Sequence, residues 1–524
     1  METLLLNLAI FAPGTHIQML AAAGESMNAS FSRLNYLTLG LYLAFMLCIG
    51  FYFSRREKST DDFFLGGRRV YWWAAGISIF GTQLSAITFM SIPAKAYDTD
   101  WTYILIHVSI VMVAPIVVFF YLPFFRRLNL ITAYQYLEKR FNVAVRMFGA
   151  IAFSLMQLGR MGIVLFLPAI ALSTVTGLNI YICILIMGLF CTIYTTLGGI
   201  EAVIWTDVFQ VVVLLGGAIA AIVVIALRLE GGLPGIVSIG MRADKFNIIN
   251  LSWDWRATAV WVVLVGNLFS NLVPYSADQT VIQRYLTTST EKQARRAIWT
   301  NAAMTLPAGV IFFFLGTALY AFYGTFPQNL DPNLEIDRIL PWFIVRELPS
   351  GIAGLVVAAI FAATMSSLDS SMNSMATVFV TDFYQRLRPD STDRFRLLLA
   401  RIITVVLGAF ATGCALLLAT YPIKSLWDLF LVLLGLLGGT LAGVFMLGIF
   451  TRRANGIGAM MGIVCSTLAL VYVKQYTQIH FFLYGAVGII TCLCVGYLGS
   501  FFVRASRSCP PDLTVYGLFK RAKD

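Results

Sequence analysis

Residues Gly81-Thr82-Gln83-Leu84-Ser85-Ala86-Ile87-Thr88-Phe89-Met90-Ser91 lie near the middle of an apolar run that extends over 71–94. An amide and several hydroxyls inside a hydrophobic helix need a reason. Ser85 and Thr88 are three apart and share a helix face. Either hydroxyl alone is accommodated by bonding back to a carbonyl one turn earlier. The whole cluster, beside Gly81, reads instead as a helix interrupted at mid-membrane, with backbone carbonyls released toward a cavity.

The rest of the chain supplies the membrane setting. Of 524 residues 59% are apolar and only 12% charged, and the mean hydropathy is +0.81. A soluble domain has roughly 45–50% apolar and about 25% charged residues. A soluble enzyme, a disordered chain and a secreted disulfide scaffold are thereby excluded. An outer-membrane barrel is excluded as well, because its segments alternate and span only about 10 residues.

A bilayer core needs about 20 mostly apolar residues per helix. That ruler gives thirteen spans, at 36–54, 71–94, 102–123, 144–172, 179–197, 203–227, 258–277, 297–322, 341–376, 402–420, 425–449, 456–473 and 479–503. The ninth is too long for a simple crossing and is expected to extend beyond the bilayer or to break. Of the 37 lysines and arginines, 26 fall in the segments after alternate spans starting with the first, and 10 in the opposite set. The basic excess marks the cytoplasmic side. It places the N-terminus outside and the C-terminus inside a plasma (inner) membrane. The net charge of +11 is therefore an orientation signal, and no nucleic acid is implied. Residues 1–35 are expected to form an external leader, within which Asn28-Ala29-Ser30 fits a glycosylation pattern. Residues 504–524 are expected to form a cytoplasmic tail.

Three polar features stand out. Arg160 lies about 14 residues past Arg146, roughly 20 Å into the membrane, too deep to snorkel easily. An ionisable group there costs at least about 2.5–3.5 kcal/mol and by default marks function. It reads as a cation awaiting an anionic solute, the alternative being a structural salt bridge. The second feature is the 81–91 stretch, with Gln83. The third is Ala362-Ala363-Thr364-Met365-Ser366-Ser367-Leu368-Asp369-Ser370-Ser371, five hydroxyls and a carboxylate within eight residues. Ser366, Asp369 and Ser370 share a face. Asp207 adds another acid near an oxygen-rich turn. Such hard oxygens suit a monovalent cation, with too few carboxylates for a calcium cage and no octahedral set for magnesium.

Enzyme chemistry finds no support. The three histidines, His16, His107 and His480, are too scattered for paired metal ligands, and no zinc-protease, nucleophile-elbow or P-loop motif occurs. Seven of the eight cysteines lie in apolar runs and Cys509 lies in the tail, so neither a disulfide framework nor a zinc site is indicated. His107, within the third span, is a candidate proton relay or a packed side chain.

With these residues in hand, the chain resembles the sodium:solute symporter family over about 390 residues, from Phe63 to Thr451. The most specific stretch is Gly198-Gly199-Ile200-Glu201-Ala202-Val203-Ile204-Trp205-Thr206-Asp207-Val208-Phe209-Gln210. Phe64-Leu65-Gly66-Gly67-Arg68, Gln283-Arg284-Tyr285-Leu286 and Ser366-Ser367 appear in the expected order. The resemblance implies an all-α, leucine-transporter-type bundle of 5+5 inverted repeats within 71–449. One leading helix at 36–54 precedes it and two additional helices at 456–503 follow it.

The resemblance also implies ligands. A main sodium site would use carbonyls of Gly81, Leu84 and Ala363 with hydroxyls of Ser366 and Ser367. Within the family the chain is most similar to bacterial sodium-coupled sialic acid transporters, whose carboxylate-binding residues fall on Ser85, Thr88 and Arg160. A second sodium site would fall on Asp207, Ser366, Asp369 and Ser370, where Asp369 stands in place of a hydroxyl residue. A sugar-holding glutamine appears as His107. The function expected is sodium-coupled symport of a small anionic solute, sialic acid first, by alternating access. Another organic acid or a sugar is the alternative, and a channel or proton-coupled sensor the rival from another class. The expected partners are the solute, one or two sodium ions and the bilayer, with no obligate protein partner indicated.

Overall fold

A computed structural model of the protein describes residues 31–256, 258–332, 334, 336–420, 437–502 and 511–517. The expected leader up to residue 30, Asn28 with its glycosylation pattern, the 425–436 part of the eleventh span, Cys509 and most of the tail lie outside the described residues. The described chain is helical. Its main helices are α1 (Arg33–Ser54), α2 (Trp72–Gln83), α3 (Ala86–Asp98), α4 (Thr102–Arg127), α5 (Val143–Thr176), α6 (Ile180–Arg228), α7 (Val260–Ser276) and α8 (Gln279–Leu286). Then come α9 (Glu291–Thr325), α10 (Ile352–Val378), α11 (Asp393–Thr420), α12 (Gly439–Phe450), α13 (Gly456–Tyr476) and α14 (Tyr484–Phe502). Among the described residues nine helices are long and apolar enough to cross a membrane, or eleven when each of two bent pairs is one span.

Polar caps set where helices begin, because the first N–H groups of a helix lack internal partners. Asn142 accepts from Val145 N–H at 3.0 Å, Thr290 from Gln293 N–H at 3.2 Å, and Asn455 from Gly458 N–H at 2.9 Å. Burial then sorts the helices. Every residue of α10 from Val356 to Val378 is buried, hydroxyls and Asp369 included. The most apolar stretch is 89% buried in the α10 span and 28% in α11. So α10 is the central pillar, packed by α1, α2, α3, α5, α6 and α11, while α11 leaves most of its surface outside the bundle.

Three breaks shape the bundle. Helices α2 and α3 meet at 60° across Leu84 and Ser85, both extended, where the sequence reading put its interruption. Helices α7 and α8 meet at 57° across Ala277 and Asp278. The sequence reading ended that span at 277 and left α8 to the following loop. The expected fifth and sixth spans are the two helices that make up the run α6, separated by a kink at the non-helical Gly199 (φ 53°, ψ −154°). A side chain there would meet Phe63 atoms at 2.9–3.1 Å, so glycine is required by conformation and by space. The expected ninth span is divided: Ile339–Arg346 is a separate short helix, and α10 starts after Gly351 and continues past residue 376.

Where α1 ends, Glu57 is only 5% exposed, and neither carboxylate oxygen has a hydrogen-bond partner among the described residues. Nearby Glu201 is held by Arg56 at 3.5 Å and Arg69 at 3.1 Å, and Asp62 by Arg69 at 3.1 Å. Burial, reinforced by the charges of Glu201 and Asp62 and opposed by Arg69 and Arg401, pushes the Glu57 carboxyl up to about 8. The folded protein therefore holds a proton here that the unfolded chain releases near 4.5. Stability from this group declines as pH rises through that window, by at most about 1.4 kcal/mol per pH unit, and levels off above it. Thermal unfolding of wild type and Glu57→Gln from about pH 5 to about pH 9 should diverge in that way. Parallel curves would mean that Glu57 is ionised throughout.

Candidate functional site

The break between α2 and α3 organises the centre of the molecule. Ser85 caps α3, its Oγ accepting from Thr88 N–H at 3.3 Å and lying 3.1 Å from Thr88 Oγ1. Leu84 N–H turns back onto the carbonyls of Phe80 and Gly81 at 3.1 and 3.2 Å. Beside the break is a cavity of about 10 Å³, lined by Gly81, Leu84, Gln210, Ala363 and Ser366 among others. That is about the room one water-sized particle needs. Four of the five residues expected to hold sodium thus meet around one ion-sized space. The fifth, Ser367, is next in sequence to Ser366 on α10. Glycine at 81 permits the close approach, since a Cβ there would sit 2.9 Å from Val211 Cγ2 on α6.

Arg160, on α5, points at the same break. Its Nη2 donates to the Thr82 carbonyl at 3.0 Å and to Ser367 Oγ at 3.5 Å. Among the described residues no carboxylate lies within 4 Å of it. Asp278, the acid that faces it, is occupied as the cap of α8, accepting from Thr280 N–H at 2.8 Å and from Gln157 Nε2 at 3.3 Å. Gln83 donates to Tyr275 OH at 2.9 Å, which also receives Asn301 Nδ2 at 2.5 Å, so it ties the first break to α7. The structure therefore brings Gln83, Ser85, Thr88 and Arg160 to one break. His107 is placed differently. It is buried against Gly309 and Phe313 of α9, and no hydrogen bond or ring contact among the described residues joins it to those four.

The sequence reading gave Arg284 no place in the site: it counted it as an orientation charge and within the motif Gln283-Arg284-Tyr285-Leu286. The structure buries it completely on α8. Its Nε donates to Ser78 Oγ at 2.7 Å, Nη1 to the Thr280 carbonyl at 2.6 Å, and Nη2 to Asp207 Oδ2 at 3.0 Å and Ser370 Oγ at 2.5 Å. Asp207 also accepts from Ser366 Oγ at 2.5 Å on Oδ1 and from the Ser78 hydroxyl on Oδ2. Asp369 accepts from Tyr194 OH at 2.7 Å and from Ser370 Oγ at 3.2 Å. Asp207, Ser366, Asp369 and Ser370 do converge, as expected for a second ion, but with a guanidinium among them. The sequence carries only a local signal there, the cap residue Asp278 ahead of Arg284, which marks a helix start but not the direction in which that helix runs.

The sequence profile of the sodium:solute symporter family matches residues 63–465. The sodium/sialic acid symporter NanT of Aliivibrio fischeri is 43% identical over 470 residues, covering 90% of this chain and 93% of that protein. The sodium/sialic acid symporter SiaT of Proteus mirabilis is 42% identical over 468 residues, covering 89% and 94%. A solved structure of a Na+-coupled sialic acid symporter, in a substrate-bound outward-open state, is 40% identical and superposes with a TM-score of 0.87 over 91% of this chain and all of that one. A nucleobase-cation-symport-1 family transporter shares the fold alone, at 16% identity and a TM-score of 0.57 over 84% of this chain and 94% of that one. Sequence and architecture agree: the chain belongs to the sodium:solute symporter family, and is a sodium-coupled membrane transporter, not an enzyme.

Proposed function

We propose that this symporter carries sialic acid inward with sodium by alternating access. The observation that carries the reading is Arg160, a guanidinium deep in the bundle whose neighbours are a carbonyl and a hydroxyl and whose counter-ion is not supplied by the described residues. Guanidinium offers a planar fork suited to both oxygens of a carboxylate. Ser85 and Thr88, on the adjacent break, supply hydroxyls for the remaining lone pairs. Sodium sits in the small cavity across the same backbone, held by Gly81, Leu84, Ala363, Ser366 and Ser367. Either ligand alone leaves part of the break unsatisfied, which is why they bind together.

The architecture that goes with this reading is the 5+5 inverted repeat, in which the bent pairs α2–α3 and α7–α8 open the two halves. Dividing α6 at Gly199 and counting α12 supports thirteen spans. The basic-residue asymmetry supports an external N-terminus and a cytoplasmic C-terminus, with the plasma membrane as the site of action.

Removing one partner of a buried charged pair costs about 2–5 kcal/mol. Arg160→Ala should therefore weaken sialic acid binding by about 30-fold to several-thousand-fold, and Arg160→Lys should restore it only in part. Ser366→Ala should abolish the dependence of uptake on sodium in protein that still inserts. Calorimetric titration at high sodium and uptake into proteoliposomes measure the two effects. Unchanged affinity in Arg160→Ala would make the arginine structural and remove the acidic solute.

A further inference from the structure

Away from the central break lies a cavity of about 970 Å³, open along one side. It is framed by the loop ahead of α7, by the turn between α13 and α14, and by the first half of α14. The loop and the turn are tied together, since the Trp255 carbonyl accepts the His480 N–H at 3.0 Å. Trp253 also packs on Trp261 of α7, with ring centroids 5.1 Å apart. The mouth is thus built by the protein itself. Both segments belong to the set poor in basic residues, the outer end in the orientation proposed above.

The lining has two chemical halves. One wall is a stripe of α14, where Val487 and Ile490 are three apart and share a face, with Leu483 one turn earlier. From Leu483 to Ile490 the stripe runs roughly 10 Å along the helix axis into the bilayer. Ile490 is 49% exposed, so the described bundle leaves this wall uncovered. The rim carries Trp255, Tyr476 and Arg256. Trp and Tyr collect at headgroup level, where the ring is in an apolar setting and the polar atom is wet. The Arg256 backbone N–H donates to Asp254 Oδ1 at 2.9 Å, but among the described residues its exposed guanidinium has no hydrogen-bond partner and no carboxylate within 4 Å. A free planar fork above an uncovered apolar wall matches a phosphate joined to an acyl chain. A soluble anion would use the fork and leave the wall, and a zwitterionic lipid brings its own cation to the phosphate.

We infer that this cavity holds one anionic phospholipid, its phosphate on Arg256 and an acyl chain along Val487 and Ile490. The site backs onto α7, one arm of a bent pair. Ser270 Oγ of α7 donates to the Phe482 carbonyl at 3.3 Å, and a Cβ at Gly266 would sit 2.7 Å from the same carbonyl oxygen. The lipid therefore braces the α13–α14 turn against α7. The inference is independent of the solute and of the sodium cavity.

The test is native mass spectrometry of the purified full-length protein, titrated with phosphatidylglycerol or with phosphatidylcholine. One phosphatidylglycerol should bind per protein, in preference to phosphatidylcholine and undisturbed by inorganic phosphate. Arg256→Gln should weaken its binding about fivefold and erase the preference. Val487→Trp keeps Arg256 but fills the wall, and should abolish binding of either lipid at this site. Both substitutions are at the cavity lining outside the central bundle, and size-exclusion chromatography with light scattering checks fold and oligomeric state. Equal retention of the two lipids, displacement by inorganic phosphate, no bound lipid in wild type, or unchanged binding in either folded variant would each overturn the inference. So would a dimer that Val487→Trp dissociates, which would give the cavity to a second copy of the chain.

Discussion

A helix that stops inside a bilayer leaves peptide groups that lipid cannot satisfy. At Leu84 and Ser85 the protein meets that demand with its own parts. The Ser85 side chain takes the first free N–H of α3, and Arg160 takes the Thr82 carbonyl. Gly81, Leu84, Ala363 and Ser366 line a cavity of about 10 Å³ beside the break. In the function proposed above, a cation completes the break on one side and the Arg160 guanidinium meets the solute carboxylate on the other, so that one interruption of the backbone serves two ligands of opposite charge.

The second interruption, at Ala277 and Asp278, brings Arg284 into the core. A buried ion pair is weak evidence for stability, because desolvation offsets much of the attraction, yet losing one member costs about 3–5 kcal/mol. Asp207 and Arg284 are both fully buried, and their hydrogen bonds reach α2, α8 and α10. Such a junction holds the two bent pairs in register. In an alternating-access carrier the bent pairs must move, and this pair ties them to one another.

Much of this centre was legible from the chain. Gly81 followed by Gln83, Ser85 and Thr88 is so unsuited to an ordinary membrane helix that the break could be placed within the 81–91 stretch, where the structure has it at Leu84 and Ser85. The hydroxyl run from Thr364 to Ser371 announced its own purpose, since several of its members have carbonyls one turn back as ready partners while Ser366 turns to Asp207. Arg284 was not legible, because in sequence it sits in a polar stretch between apolar runs, where arginine ordinarily marks a cytoplasmic loop. Only the bend at Asp278 carries it inward, and a bend is a tertiary fact. The division of the 179–227 stretch was legible as well: Gly198-Gly199 reads as a turn, and the non-helical Gly199 separates the two helices there.

The central claim is that one broken helix binds sodium and solute together. Linkage requires that each then raise the affinity of the other by the same factor. Calorimetric titration of sialic acid at high sodium and with sodium replaced by choline tests this most directly. The account predicts at least about tenfold tighter solute binding in sodium, an effect lost in Ser366→Ala. Equal affinity in the two media would contradict it.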